Sequence, residues 1–439
     1  VISDGDPYLA GHGDDTFDVE HYDLGLDYKV ASNHLAGRAT LRCRALHEAE
    51  RFALDLHGLR VSKVTIDGVA PRKYRHSAGK LLLQPHSRLV PGAGFTVTVT
   101  YSGHPTTVPG PHGGAGWEEL TDGAIVAGQP DGAPSWFPCN DRPSNKATYR
   151  FDVAAPAGYR VIANGALTDR RPMSSRVLWS YEQREPMSTY LATLQVGRYR
   201  STALPGSPVP MTAEAPARLT DEVLAALSRQ PEMMRTFVDL FGPYPFGAYT
   251  VVVTDDDLEI PVESQTLSTF GRNHMRTDWA GQRLIAHELA HQWFGNSLTT
   301  ARWQDIWLHE GFACYSEWLW SEASGGRAAG RHASEHWRRL ESSPQDLVLA
   351  DPSRPLMFDD RVYKRGALLL HALRVTIGDT RFFTLLRQWV AAHRHGSVTT
   401  AQFIERFTEG AGPDRDEVSS LFRAWLLEPQ LPPLPRSSR

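Results

Sequence analysis

Residues 279–295 read WAGQRLIAHELAHQWFG, an apolar repeat at helical spacing that stops at a glycine, and a helix over 278–295 is expected there. Inside it His287 and His291 stand at i and i+4, so both rings project from one face, about 6 Å apart at their base, and can reach a single ion. Zinc at a catalytic site takes three protein ligands and keeps a fourth position for water, so a third ligand is required. Glu310, in WLHEGFACYSEWLW, follows His291 after 18 residues on a second amphipathic segment expected to be helical over 304–323, and is assigned as that ligand. Glu288 neighbours a ligand without being one, the place for a general base that takes a proton from water. Glu317, two turns beyond Glu310, is read as a carboxylate orienting the ligands from outside, and Asn296 as a support of the same helices.

Outward from this pair the pattern stays helical in the C-terminal direction, with segments at 363–376, 379–394, 400–410 and 415–427. On the other side LTDEVLAALSRQPEMMRTFVDLF is amphipathic and AYTVVVT reads as a buried strand. From residue 17 to 200 the chain instead runs in short period-two segments such as HYDLGLDYKV, FTVTVTY and ATYRFDVAA, separated by Gly, Pro and Asn. Two domains are therefore expected, an antiparallel β domain over 1–200 and a mainly helical α+β domain over 201–439. The Gly- and Pro-rich TTVPGPHGGAGW at 105–116 is expected to be a long loop, and the closing LPPLPRSSR cannot continue a helix.

Composition limits the partners. The 439 residues are 41% hydrophobic and 22% charged, an ordinary globular balance, and the formal charge of -4 supplies no attraction for a polyanion, so no nucleic-acid partner is expected. No 18-residue apolar stretch occurs and the acidic VISDGDPYLAGHGDD start lacks a basic and apolar leader, so no membrane association is expected. Cys43, Cys139 and Cys314 form no close pair and read as reduced thiols. A cytoplasmic protein is expected, or a secreted one if an export segment preceded Val1. Nothing in the sequence speaks to oligomeric state.

At the metal-ligand pattern the chain resembles the aminopeptidase-N family of zinc metallopeptidases, relatives of the leukotriene-epoxide hydrolase, whose signature is HExxH, 18 residues, then Glu. The resemblance extends to GQPDGAPSWFPCNDRPSNKATY, DLEIPVESQTLSTF and VYKRGALLLHAL, and covers residues 17 to 430. It implies a β-sandwich or saddle domain followed by a thermolysin-like catalytic domain in a short two-domain form without the family's helical C-terminal domain, and one zinc per chain. It further implies that Tyr363 stabilises the oxyanion, while Glu263 and Gln129 hold the free amine of a peptide whose N-terminal bond is hydrolysed. IPVES stands where the family has GAMEN, so that only Glu263 keeps its identity, and Arg365 replaces a lysine. A thermolysin-type endopeptidase, an epoxide hydrolase on the same site and an inactive scaffold remain as alternatives.

Overall fold

The computed structural model describes residues 6–435; the final RSSR of the proline-rich tail lies outside them. Among the described residues two compact units form, one from 6–202, 212–220 and 246–272, the other from 203–211, 221–245 and 273–435. Packing thus departs from a single cut at residue 200. Strands Tyr249–Thr254, Val262–Ser264 and Leu267–Gly271 complete a five-stranded sheet with Tyr199–Ala203 and Met211–Pro216, and that shared backbone hydrogen bonding carries 246–272 into the first unit.

The first unit is built on a seven-stranded sheet in the order Ala166–Met173, Arg176–Met187, Ala147–Pro156, Phe17–Lys29, His34–Ala45, Gly94–Gly103, Arg60–Ile66. Its pairings are antiparallel except for Phe17–Lys29 beside Ala147–Pro156, which run parallel. Phe17–Lys29 shows how alternation becomes burial. Phe17 and Val19 face inward, a bulge between Val19 and His21 shifts the phase by one, and Tyr22, Leu24, Leu26 and Tyr28 then take the buried face. Tyr22 stacks on Tyr149 of the neighbouring strand at 4.8 Å, and Tyr149 on Phe151, two residues along its own strand, at 5.6 Å.

The expected loop at 105–116 is instead mostly a hairpin of Val108–Gly110 against Gly113–Leu120. The buried FPCND segment, residues 137–141, ties the chain start to this unit. Asn140 donates to the carbonyls of Asp14 and Phe17, and Asp55 accepts from the Gly13 and Asp141 amides while pairing with Lys80.

The second unit contains α1 (Thr220–Ala226, whose first residue belongs to the first unit), α2 (Gln230–Phe241), α3 (Trp279–Ala290), α4 (Trp307–Ala323), α5 (Ala329–Glu341), α6 (Asp360–Ile377), α7 (Asp379–Ala392), α8 (Thr400–Gly410) and α9 (Arg415–Phe422). Helix α4 is its centre: residues Trp307 to Ser321 are all buried. Helix α3 begins at Asp278, whose side chain accepts from the Gly281 amide, and α6 at Asp359, which accepts from the Arg361 amide. Helix α5 was not anticipated from the sequence, and α3 ends at Ala290 rather than at Gly295. Among the described residues no helix is long and apolar enough to cross a membrane, and all three cysteines are free and buried.

Candidate metal centre

His291 lies one residue beyond α3 but keeps helical dihedrals, φ -56 and ψ -24, and its amide still donates to the His287 carbonyl. The i, i+4 projection of the two rings therefore survives the earlier helix end. Past His291 the chain makes a tight turn in which the Asn296, Ser297 and Leu298 amides donate to the carbonyls of His291, Gln292 and Trp293, each five residues back. Gly295 turns this loop at φ +128, where a Cβ would come 3.2 Å from His291 Nδ1.

Each histidine has its outer nitrogen held. His287 Nδ1 lies 2.8 Å from Glu317 Oε1, and His291 Nδ1 lies 3.0 Å from the Phe294 carbonyl. Both partners accept, so both Nδ1 atoms carry the proton and both Nε2 lone pairs face inward. Those Nε2 atoms each sit 3.5 Å from Glu310 Oε2. A tetrahedral zinc with bonds of about 2.1 Å spaces its ligand atoms by about 3.4 Å, so the donor set fits this ion in both chemistry and spacing. Glu310 lies in the first turn of α4, where the helix dipole favours a negative charge.

The electrostatics point the same way. Burial opposes charge on His287, yet the hydrogen bonds to Glu310 and Glu317 prevail and push it up to about 9. Burial likewise opposes charge on Glu317, but the bond to His287, with Lys364, His287 and Arg283 nearby, holds it down to about 2. Glu310 is lowered as well, against its burial, by His291 and His287. The cluster is a place where positive charge is stabilised.

Glu288 is buried, with a carboxylate oxygen within 4.8 Å of a His291 ring nitrogen. Tyr363, in the first turns of α6, lays its ring nearly parallel to that of His287, with centroids 6.2 Å apart. Asn296 is fully buried and acts on the turn through its backbone.

Sequence reasoning passed over Arg283. It stands one turn before His287 and places Nη1 3.2 Å from Glu317, and the i, i+4 spacing to His287 was the available signal. It also left Arg365 as a bare departure. The buried Arg365 guanidinium donates to the carbonyls of Leu347, Trp425 and Pro429 at 3.1, 3.0 and 2.6 Å, and also to Glu428. A guanidinium fork can serve that many acceptors and an ammonium cannot.

Gln129 and Glu263 belong to the first unit. Gln129 follows the strand Gly123–Ala127 and its Nε2 is buried with no hydrogen-bond partner. Glu263 is the central residue of the short edge strand Val262–Ser264, opposite Ser268, and is 8% exposed. Asn164 donates to the Leu191 and Gln265 carbonyls and so anchors the end of that strand, while Ile260 just before it is 67% exposed.

Two family descriptions match the chain: the Peptidase M1 N-terminal domain over residues 18–191 and the Peptidase family M1 domain over 225–425. A solved two-domain M1 zinc metallopeptidase, a mutant bound to L-arginine, is 31% identical with a TM-score of 0.90, covering 99% of this chain and 100% of that one. An M1 zinc metallopeptidase mutant from Deinococcus radiodurans bound to a Tyr-Ser-Ala substrate has the same identity and coverage and a TM-score of 0.89. Leukotriene A-4 hydrolase of Xenopus laevis is 25% identical over 95% of this chain and 72% of its own length. Leucine aminopeptidase 2 of Aspergillus clavatus is 26% identical over 69% of this chain, which spans 52% of that protein.

Proposed function

Because the chain belongs to peptidase family M1, whose members use one catalytic zinc, we propose that it is a zinc aminopeptidase that removes the N-terminal residue of peptides. The observation that carries this reading is the convergence of His287 Nε2 and His291 Nε2 on Glu310 Oε2, each at 3.5 Å, with Glu288 and Tyr363 beside them. His287, His291 and Glu310 would hold the zinc, with Glu317 and the Asn296 turn fixing the two rings. When bound, the ion supplies a Lewis acid for the scissile carbonyl and lowers the pKa of water toward neutrality.

The chain's own residues do the rest. Glu288 takes a proton from the attacking water and delivers it to the leaving amine, a transfer its carboxylate can make because it is not itself a ligand. Tyr363 donates its hydroxyl proton to the oxygen that gains negative charge as the carbonyl becomes tetrahedral. Glu263 and Gln129 take the substrate ammonium, and a carboxylate facing an ammonium gives the charge-assisted bond that selects a free N-terminus over an internal segment. The relatives named leucine aminopeptidase support the exopeptidase choice. Three buried free thiols fit a reducing, cytoplasmic setting.

The test compares fluorogenic aminoacyl amides with their N-acetylated counterparts on the purified protein. Cleavage of the free-amine series alone is expected, and Glu263→Ala should remove most of that discrimination. Equal cleavage of acetylated and internal bonds would replace the aminopeptidase reading with an endopeptidase one.

A further inference from the structure

Helix α6 carries Arg361, Tyr363 and Arg365 in its first turns. The two arginines stand at i and i+4 and so share one face of the helix, while Tyr363, two residues from each, falls on the opposite face. The contacts follow that division. Tyr363 lays its ring beside His287, whereas both arginines reach the segment that joins α5 to α6. Arg361 Nη1 donates to the Pro344 carbonyl at 3.0 Å, and Arg365 Nη1 to the Leu347 carbonyl at 3.1 Å.

Arg365 reaches further than that segment. Its guanidinium, in a residue only 4% exposed, also donates to the carbonyls of Ala424 and Trp425, in the π-helical turn Arg423–Leu427 that follows α9, and of Glu428, Pro429 and Gln430 beyond it. A cation suits this place, because the carbonyl end of a helix carries partial negative charge. Burial pushes the guanidinium down to about 10, so it is still charged at neutral pH. The same stretch is fastened twice more. The Leu431 amide donates to Gln345 Oε1 at 2.7 Å, and Trp337 Nε1 of α5 donates to the Pro432 carbonyl at 2.7 Å. Gln345 in turn donates to the Leu340 and Ser343 carbonyls at 2.8 and 2.9 Å, which locks it to the end of α5. Residues 424–432 thus form a brace from α5 to α6, bonded to the face of α6 opposite Tyr363.

We infer that Arg365 is a positioning residue for Tyr363: by tying α6 to this brace and to the α5–α6 segment, it fixes where the Tyr363 hydroxyl meets the substrate oxygen. The inference rests on the reading of Tyr363 as the oxyanion donor. A hydroxyl in that role tolerates little displacement, since a shift of about 1 Å in a reacting geometry can lower the rate about 10²-fold. On its other side α6 rests on α4 through the close contact of Gly366 with Gly311, so the helix is held from both faces. Arginine is the residue for the task, because its planar fork offers five N–H donors in fixed directions where a lysine ammonium offers three.

The experiment follows cleavage of an alanyl fluorogenic amide by the zinc-loaded protein in Arg365→Gln, Arg365→Lys and Gln345→Ala, each alone and combined with Tyr363→Phe. In Arg365→Gln kcat is expected to fall about tenfold or more, with KM and bound zinc within about twofold of the wild type. Arg365→Lys, which keeps the charge, and Gln345→Ala, which loosens the brace without touching α6, should fall by less. Beside Tyr363→Phe the same changes should lower kcat by no more than about twofold, because the hydroxyl they position is gone. An arginine that served stability alone would act equally in both backgrounds. An undiminished loss beside Tyr363→Phe, or full kcat in every folded single variant, therefore overturns the inference. Thermal unfolding is read alongside, and Arg365→Lys and Gln345→Ala carry the test if Arg365→Gln unfolds. If Tyr363→Phe turns over near normally, or the amide is not cleaved at all, the reading of Tyr363 or of the aminopeptidase fails separately. Hydrogen exchange then reads the brace itself: amides of residues 360–368 should exchange about tenfold faster in Arg365→Lys while those of α3 keep their rate, and equal rates over 360–368 overturn it.

Discussion

Gly311 of α4 and Gly366 of α6 meet backbone to backbone, such that a Cβ on either would lie 2.8 Å from the Cα of the other. Gly311 follows Glu310, a proposed zinc ligand, and Gly366 comes three residues after Tyr363, so this contact bears on the separation of the proposed metal cluster from the hydroxyl proposed to act on the substrate. Any side chain here must push the helices apart, since rotamer changes cannot relieve a clash with backbone.

Gly311→Ala is therefore expected to cost about 1–3 kcal/mol of stability and to lower kcat further than stability alone explains. Denaturant midpoints and turnover at saturating substrate check both parts. An unshifted midpoint with full turnover would show that the helices are free to separate.

Glu317 Oε1 lies 2.8 Å from His287 Nδ1, and in the proposed centre this contact would present Nε2 to the zinc. Glu317→Gln keeps the shape and removes the charge, and an orienting partner of this kind is worth about 10- to 100-fold in metal affinity. Competition for zinc against a chromophoric chelator measures it, and unchanged affinity would remove Glu317 from the centre.

Tyr363→Phe leaves the ring beside His287 and removes only the hydroxyl. Turnover should drop about 10²- to 10³-fold, as for loss of an oxyanion donor, while bound zinc stays at the wild-type level. Near-normal turnover would make Tyr363 a packing residue.

A pH effect is expected in the first unit, remote in sequence from the metal ligands. Burial disfavours charge on His12, but its hydrogen bond to Asp141 and the charges of Asp141, Asp55 and Asp131 raise it to about 9 from 6.5. A raised folded-state pKa means that the protonated ring stabilises the fold fully below pH 6.5, with the contribution lost as pH rises through about 9. Urea unfolding between pH 6 and 10 should show this decline in the wild type and a smaller one in His12→Gln.

The metal helices were legible because their chemistry is local: His287, His291 and Glu310 lie at spacings that one helix and its neighbour convert directly into geometry. What failed to show in the sequence was structure whose signal does not lie in large apolar side chains. Helix α5, AGRHASEHWRRLE, turns only Ala329, His332, Ala333 and Leu340 fully inward, so its apolar repeat is faint. The hairpin at 108–120 pairs Val108, Pro109 and Gly110 with Ala115, Gly114 and Gly113, residues too small or too irregular to carry an apolar alternation. Gly295 looked like a helix stop, yet α3 has already ended and the glycine serves the turn that seats His291.

The central claim is that one zinc held by His287, His291 and Glu310 makes this chain an aminopeptidase. The direct measurement strips the protein with chelator and returns zinc in small steps while following cleavage of an aminoacyl amide with a free amine. Activity should be absent after stripping, rise linearly and break at one zinc per chain, and Glu310→Ala should shift or abolish the break. Full activity in the stripped protein, or none with one zinc firmly bound, would contradict the account.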